Sequence, residues 1–162
     1  MRAIVFVFMI IISLFANDID DLLLIEAKLY PKIVLLDKKI VSNKIKIGII
    51  YDEKSKTAAE KLKKFLSLNN TDAVLIKKEQ IKQANADAFV IGMKNIDENS
   101  LNQLLLKHKL IFSLFPQNIK NSMISLDIGV KIKPVLNLKL IKIGGVSLNP
   151  IIFKVAEIYN EK

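Results

Sequence analysis

Asp52 and Glu53 directly follow the β-branched run Ile45 to Tyr51. A strand ending there would put both carboxylates at its carboxyl end, the edge of an open α/β sheet where ligands bind. Gly92, just after the apolar run Ala88 to Ile91, would lie on the same edge and complete a candidate crevice with them. An acidic pair in this place also occurs in phosphoacceptor sites, but these need a further Asp after the third strand. Here that stretch reads Gly92-Met93-Lys94, so the pair is expected to be a polar strand-to-helix turn bordering a crevice. Other reactive types are scarce. His108 is the single histidine and there is no cysteine, which rules out a histidine cluster, a thiolate metal site and a thiol nucleophile. No nucleophile, base and orienting group can be assembled by type. The expectation is a protein that is not an enzyme, with no catalytic residue, no metal and no cofactor. Gly144-Gly145 is the only glycine pair and lacks the surrounding glycines of a phosphate-binding loop, so it reads as a helix stop.

The net charge of +9 suggests an acidic partner. Nucleic acid is a poor fit, because Arg2 is the only arginine, Trp is absent and Tyr occurs three times. Base and phosphate recognition lean on the guanidinium fork and on aromatic stacking. The lysines are expected to solvate helix faces, with attraction to an anionic membrane surface or to an acidic partner as a secondary role, and no nucleic-acid partner is expected.

The elements that must position the crevice alternate. Asp18 or Asp20 can cap a first helix through Leu22, Leu23, Leu29, Ile33 and Leu36, with Pro31 expected to kink it. The strand Ile45 to Tyr51 precedes a helix with Thr57 and Glu60 as a capping box and Ala58, Leu62, Phe65 and Leu66 as its apolar stripe. Asn69-Asn70 ends that helix. A strand at Ala73 to Ile76, a short helix at Glu79 to Ala84, a strand at Ala88 to Ile91, a helix at Leu101 to His108 and a strand at Leu110 to Phe115 follow. Strands separated by helices imply right-handed crossovers and a parallel sheet. Met123 to Ile128 and Val130 to Lys133 read as two more strands around Gly129. Leu138 to Ile143 reads as a short helix, and Asn149-Pro150 opens a last helix through Ile152, Val155, Ala156 and Tyr159. The fold class is therefore α/β, a mostly parallel sheet of about six strands flanked by helices on both faces.

At the start, Arg2, the apolar run Ala3 to Phe15 and the small residue Ala16 before the polar Asn17-Asp18 have the plan of an export signal. Thirteen helical residues span roughly 20 Å, short of a hydrocarbon core about 30 Å thick. Cleavage between Ala16 and Asn17 is expected, leaving residues 17–162 as a single domain in the periplasm without stable membrane insertion.

The stretch Ser122 to Ile158 resembles the C-terminal signature of the YfiR/HmsC-like periplasmic proteins: a strand ending in Asn137, a short helix, the glycine turn Gly144-Gly145 and a last helix with the step Val155-Ala156. The helix containing Ala27 to Tyr30 and the strands Ile45 to Tyr51 and Ala88 to Ile91 fall where that family has its own. The resemblance implies an α/β sandwich and structural roles for Asn137, Gly144, Gly145 and Ala156. It also implies a non-enzymatic regulator that binds and restrains the periplasmic sensor part of a membrane-bound signalling protein of the diguanylate cyclase type. A homodimer is a separate expectation. The chain departs from the family in having no disulfide cysteines and in the run Pro134 to Asn137, where bulky aromatics are common. The alternative is a small periplasmic solute-binding protein related to transporter binding domains, using the crevice beyond Asp52, Gly92 and Phe115.

Overall fold

The computed structural model describes residues 19–41 and 44–161. Ala16 and Asn17, and with them the expected cleavage site, lie outside the described residues.

A helix over residues 19–34, α1, opens the described chain, and Pro31 sits in its last turn. Then follow β1 (Lys46–Tyr51), α2 (Lys56–Leu68), β2 (Asp72–Lys77), a 3-10 turn (Lys78–Gln83), β3 (Ala88–Ile91), α3 (Glu98–Leu105) and β4 (Leu110–Ser113). A second 3-10 turn (Pro116–Asn121) leads to β5 (Ile124–Ile128), β6 (Ile132–Leu136) and α4 (Leu138–Ile143). A third (Pro150–Lys154) leads to β7 (Glu157–Ile158).

The fold is α/β: one sheet of seven strands in the order β2-β1-β3-β4-β5-β6-β7. Strands β1 to β5 run parallel, β6 returns antiparallel to β5, and β7 is parallel to β6. All four residues of β3 and of β4 are buried, and β1 after Lys46 is buried throughout. Such unbroken apolar strands are what a sheet covered on both faces demands. Right-handed crossovers put α2 on one face and the first 3-10 turn with α3 on the other. Side chains agree: Lys107 beyond α3 donates to the carbonyls of Lys82 and Ala84, while Lys61 of α2 pairs with Asp20 of α1 at 2.7 Å. On the α1 side, Tyr30 stacks on Phe112 of β4 with ring centroids 4.4 Å apart.

Several local expectations change. Strand β6 runs over Ile132–Leu136, not Val130 to Lys133. Helix α2 begins at Lys56 behind Ser55, so Thr57 and Glu60 form no capping box. Its buried residues are Ala59, Leu62 and Leu66, with Ala58 and Phe65 half-buried at the margin. The segment at Glu79 to Ala84 is 3-10 rather than α. The sheet has seven strands rather than six because the last segment is not an α-helix: Asn149 and Pro150 do start a turn, with the Asn149 side chain accepting from the Ile151 N–H at 3.1 Å, but it stops at Lys154. Ala156 lies just beyond it, half-buried, and β7 then pairs with Val135 and Leu136.

Candidate functional site

The chain leaves β1, passes through α2 to β2 on one side, and returns through the 3-10 turn to β3 on β1's other side. The connections diverge at this point and open a crevice beyond the carboxyl ends of the strands, which is where doubly wound sheets place ligands. A crevice of about 530 Å³ lies there. Asp52, Lys54, Ser55 and Ala58 contribute from the β1–α2 connection, Lys94 and Asn95 from the loop after β3, and Phe115 from the end of β4.

Each wall is held by its own bonds. The Gly92 N–H donates to the Ile50 carbonyl at 2.8 Å. A Cβ at Gly92 would sit 3.0 Å from that carbonyl oxygen, so the residue there must be small for β3 to lie this close to β1. The Asn118 amide donates to the Met93 carbonyl at 3.2 Å, tying the β3 loop to the turn after β4. Ser113 Oγ donates to the Phe115 carbonyl at 2.7 Å and accepts from the Phe115 N–H, clasping the aromatic wall. Ser55 donates to Asp52 Oδ1 through both its N–H at 2.8 Å and its hydroxyl at 2.7 Å. The Ser55 hydroxyl, ahead of opposing desolvation, holds the Asp52 carboxyl below the usual carboxylate range.

Charge at this edge divides into two groups. Lys78 and Asp97 pair with each other at 2.6 Å, and Asp97 also accepts from Ser100 as the cap of α3. The Lys78 hydrogen bond is the main reason the Asp97 carboxyl lies well below its ordinary range. The crevice charges behave differently. Among the described residues, Asp52 is bonded by neutral donors and by no cation, and the ammonium groups of Lys54 and Lys94 have no carboxylate partner. One anion and two cations thus line a single crevice without forming an ion pair among the described residues.

Of the residues singled out in the sequence, Asp52 and Phe115 line the crevice. Glu53 is exposed beside it, and Gly92 is buried behind its wall. Lys54, Lys94 and Asn95 gave no signal, because lysines recur along the whole chain and a lone asparagine in a loop is commonplace. Asn137 caps α4, accepting from the Leu140 N–H and donating to the Ile119 carbonyl at 3.0 Å. Gly145 takes φ +62, and the Gly144 carbonyl lies 2.9 Å from His108 Nδ1, so the histidine braces the end of α4. These residues, like Ala156, lie outside the crevice. Among the described residues no group of three or more His, Cys, Asp or Glu is placed to hold a metal ion. No helix among them is long and apolar enough to cross a membrane.

Fold and crevice together define an open, mostly parallel α/β sheet with a ligand-sized cleft at its topological switch point. Solved structures share that fold, and two of them illustrate it. One is an ABC domain in complex with L-Trp from Streptococcus pneumonia, with a TM-score of 0.55 and 15% identity, covering 80% of this chain and 61% of that one. The other is a conserved domain protein from Vibrio cholerae, with a TM-score of 0.52 and 13% identity, covering 75% of this chain and 56% of that one. The chain therefore spans about three fifths of the length of these relatives. It matches no family profile and no curated protein.

Proposed function

We propose that this chain is an exported small-solute-binding module whose ligand is a zwitterion of the α-amino-acid class, held in the crevice between β1 and β3. The observation that carries the reading is the convergence of both signs of charge on one crevice: Asp52 to receive an ammonium group, Lys54 and Lys94 to receive a carboxylate, and Phe115 with Ala58 to cover an apolar substituent. Ligand pockets commonly combine such an apolar wall with a few converging polar groups. The L-Trp in complex with the ABC domain from Streptococcus pneumonia belongs to this ligand class. The apolar run Ala3 to Phe15 supports a site of action outside the cytoplasm. The test is calorimetric titration with three matched panels: amino acids, the same skeletons lacking the amino group, and the same skeletons lacking the carboxylate. Amino acids should bind at least tenfold more tightly than either truncated panel. Asp52→Asn should remove the preference over the des-amino acids, and Lys94→Met the preference over the amines. Equal binding of all three panels would overturn the ligand class, and binding of none would overturn the solute-binding reading.

A second reading is favoured by a different surface. Ile151, Phe153, Val155 and Ile158 are all exposed on the β7 edge and the turn leading into it. Exposed large apolar groups in one stretch of chain suit a protein contact. On this reading, these residues would contact the sensor domain of a membrane-bound cyclase, as the resemblance to the YfiR/HmsC-like proteins implies. Deletion of the gene should then raise cyclic-di-GMP, and a Phe153→Asp copy should fail to restore it. Unchanged cyclic-di-GMP on deletion would overturn this second reading.

A further inference from the structure

Glu26 sits in the buried stripe of α1, between Leu23 and Tyr30, and is 1% exposed. Its Oε1 lies 2.8 Å from the Tyr30 hydroxyl, and among the described residues its Oε2 has no hydrogen-bond partner. The same hydroxyl lies 2.7 Å from the backbone carbonyl of Ser113, at the end of β4. A phenol carries one proton and a backbone carbonyl can only accept. If that proton goes to Ser113, the contact with Glu26 needs a proton from Glu26. If it goes to Glu26, two bare oxygens face each other at 2.7 Å and a buried anion keeps one oxygen unpartnered. The second arrangement loses a hydrogen bond and strands a charge.

We infer that Glu26 is a neutral carboxylic acid in the folded protein, its O–H donating to Tyr30 Oη while Tyr30 donates to the Ser113 carbonyl, and that this proton is the latch between α1 and β4. Burial, the largest influence on it, pushes the carboxyl well above its ordinary value. The groups around it offer no compensating cation: Leu23, Ala27 and Tyr30 on α1, and Phe112 and Ser113 on β4, are all uncharged, and among the described residues Tyr30 is the only titratable group acting on the carboxyl. Removing the proton leaves one hydrogen for two acceptors, so either the α1 contact or the β4 contact is released. Because Ser113 also clasps Phe115, the latch ends on the crevice wall. The device does not depend on what the crevice binds.

The test uses the full chain with its glutamate carboxyl carbons labelled, followed by NMR through a pH titration, with amide hydrogen exchange of α1 in parallel. One glutamate resonance should keep its protonated shift at pH values where every other carboxyl has ionised, and it should be missing in Glu26→Gln. The Gln amide can donate to Tyr30 as the acid does, so this variant should keep the protection of α1 within threefold of the wild type and hold it as pH rises. Tyr30→Phe, which removes the relay, should lower α1 protection tenfold or more at every pH. If all glutamates titrate together near the ordinary value, the inference is overturned, whether or not the variants fold. Loss of α1 protection in Glu26→Gln at neutral pH would overturn it as well.

Discussion

Asp52 and Ser55 bind each other in both directions. The Asp52 N–H donates to Ser55 Oγ at 3.0 Å, while the Ser55 N–H and hydroxyl donate back to Asp52 Oδ1. Only two residues separate them on the chain, so the loop leaving β1 is closed into a tight ring just before α2, and the carboxylate is fixed at the crevice mouth. Ser55 is itself buried, whereas Asp52 is only partly so.

The ring should matter to both stability and charge. Ser55→Ala removes a hydroxyl bonded to a carboxylate, worth about 1.5–3 kcal/mol where such bonds are well formed, and the partial exposure of Asp52 places the expected loss at the lower end. The folded protein holds Asp52 below the value it has in the unfolded chain. Its contribution is therefore present above the unfolded value and disappears as pH falls through the folded one. Denaturant midpoints should show a wild-type advantage over Ser55→Ala at neutral pH that shrinks in acid. An advantage that grows in acid would contradict the assignment.

Helix α2 gives a test of packing. Leu62 is fully buried, and Leu62→Ala should cost about 2–5 kcal/mol. Phe65 lies at the margin of the stripe, so Phe65→Ala should cost clearly less than the ~3–5 kcal/mol of a fully buried phenylalanine. Chemical denaturation of the two variants side by side should rank Leu62→Ala as the more damaging.

The same helix marks where hydrophobic periodicity is ambiguous. Its spacing places Leu62 and Leu66 correctly but gives Ala58 and Phe65 the place that Ala59 holds, because two adjacent apolar residues fit one stripe equally well. Strands β1, β3 and β4 are legible because strands buried on both faces are written as unbroken apolar runs. The end of the chain is not. Asn149-Pro150 is a sound helix start, but the path beyond Lys154 is decided by the pairing of Glu157 and Ile158 with β6, which no local signal announces. At the crevice, Asp52 is legible from its position after a strand, whereas Lys54 and Lys94 become distinctive only through their place on the crevice wall. Glu26 does leave a signal, a lone acid inside the apolar stripe of Leu23, Ala27, Tyr30 and Val34.

Gly145 is left-handed at φ +62, and a Cβ there would lie 3.3 Å from His108 Nδ1. Gly145→Ala should therefore cost about 1–2 kcal/mol from backbone strain alone. Gly145→Asn should cost less, because asparagine tolerates this region better. Thermal melts of the pair should separate in that order, and equal melts would mean that the turn relaxes out of the left-handed region.

Asn137 performs two tasks with two different atoms, and substitution can separate them. Its Oδ1 accepts from the Leu140 N–H at 3.2 Å to cap α4, and its Nδ2 donates to the Ile119 carbonyl at 3.0 Å, binding that helix to the turn before β5. The side chain is 5% exposed, so neither partner can turn to water instead. Asn137→Asp keeps the capping oxygen but sets a carboxylate oxygen against a carbonyl, where the two repel. Asn137→Ala loses both bonds and introduces no charge; leaving the two buried backbone groups unpaired should cost about 2–4 kcal/mol in all. At neutral pH Asn137→Asp should be at least as destabilised as Asn137→Ala despite retaining the cap. Its carboxyl would have a higher value folded than unfolded, since only the neutral acid can donate to Ile119. The deficit of Asn137→Asp should therefore shrink as pH falls toward the unfolded carboxyl value, about 3.9, while that of Asn137→Ala stays level. Denaturant midpoints of both variants, measured relative to the wild type across the acid range, read this directly, and parallel pH profiles would show that the Ile119 contact does not hold α4 in place.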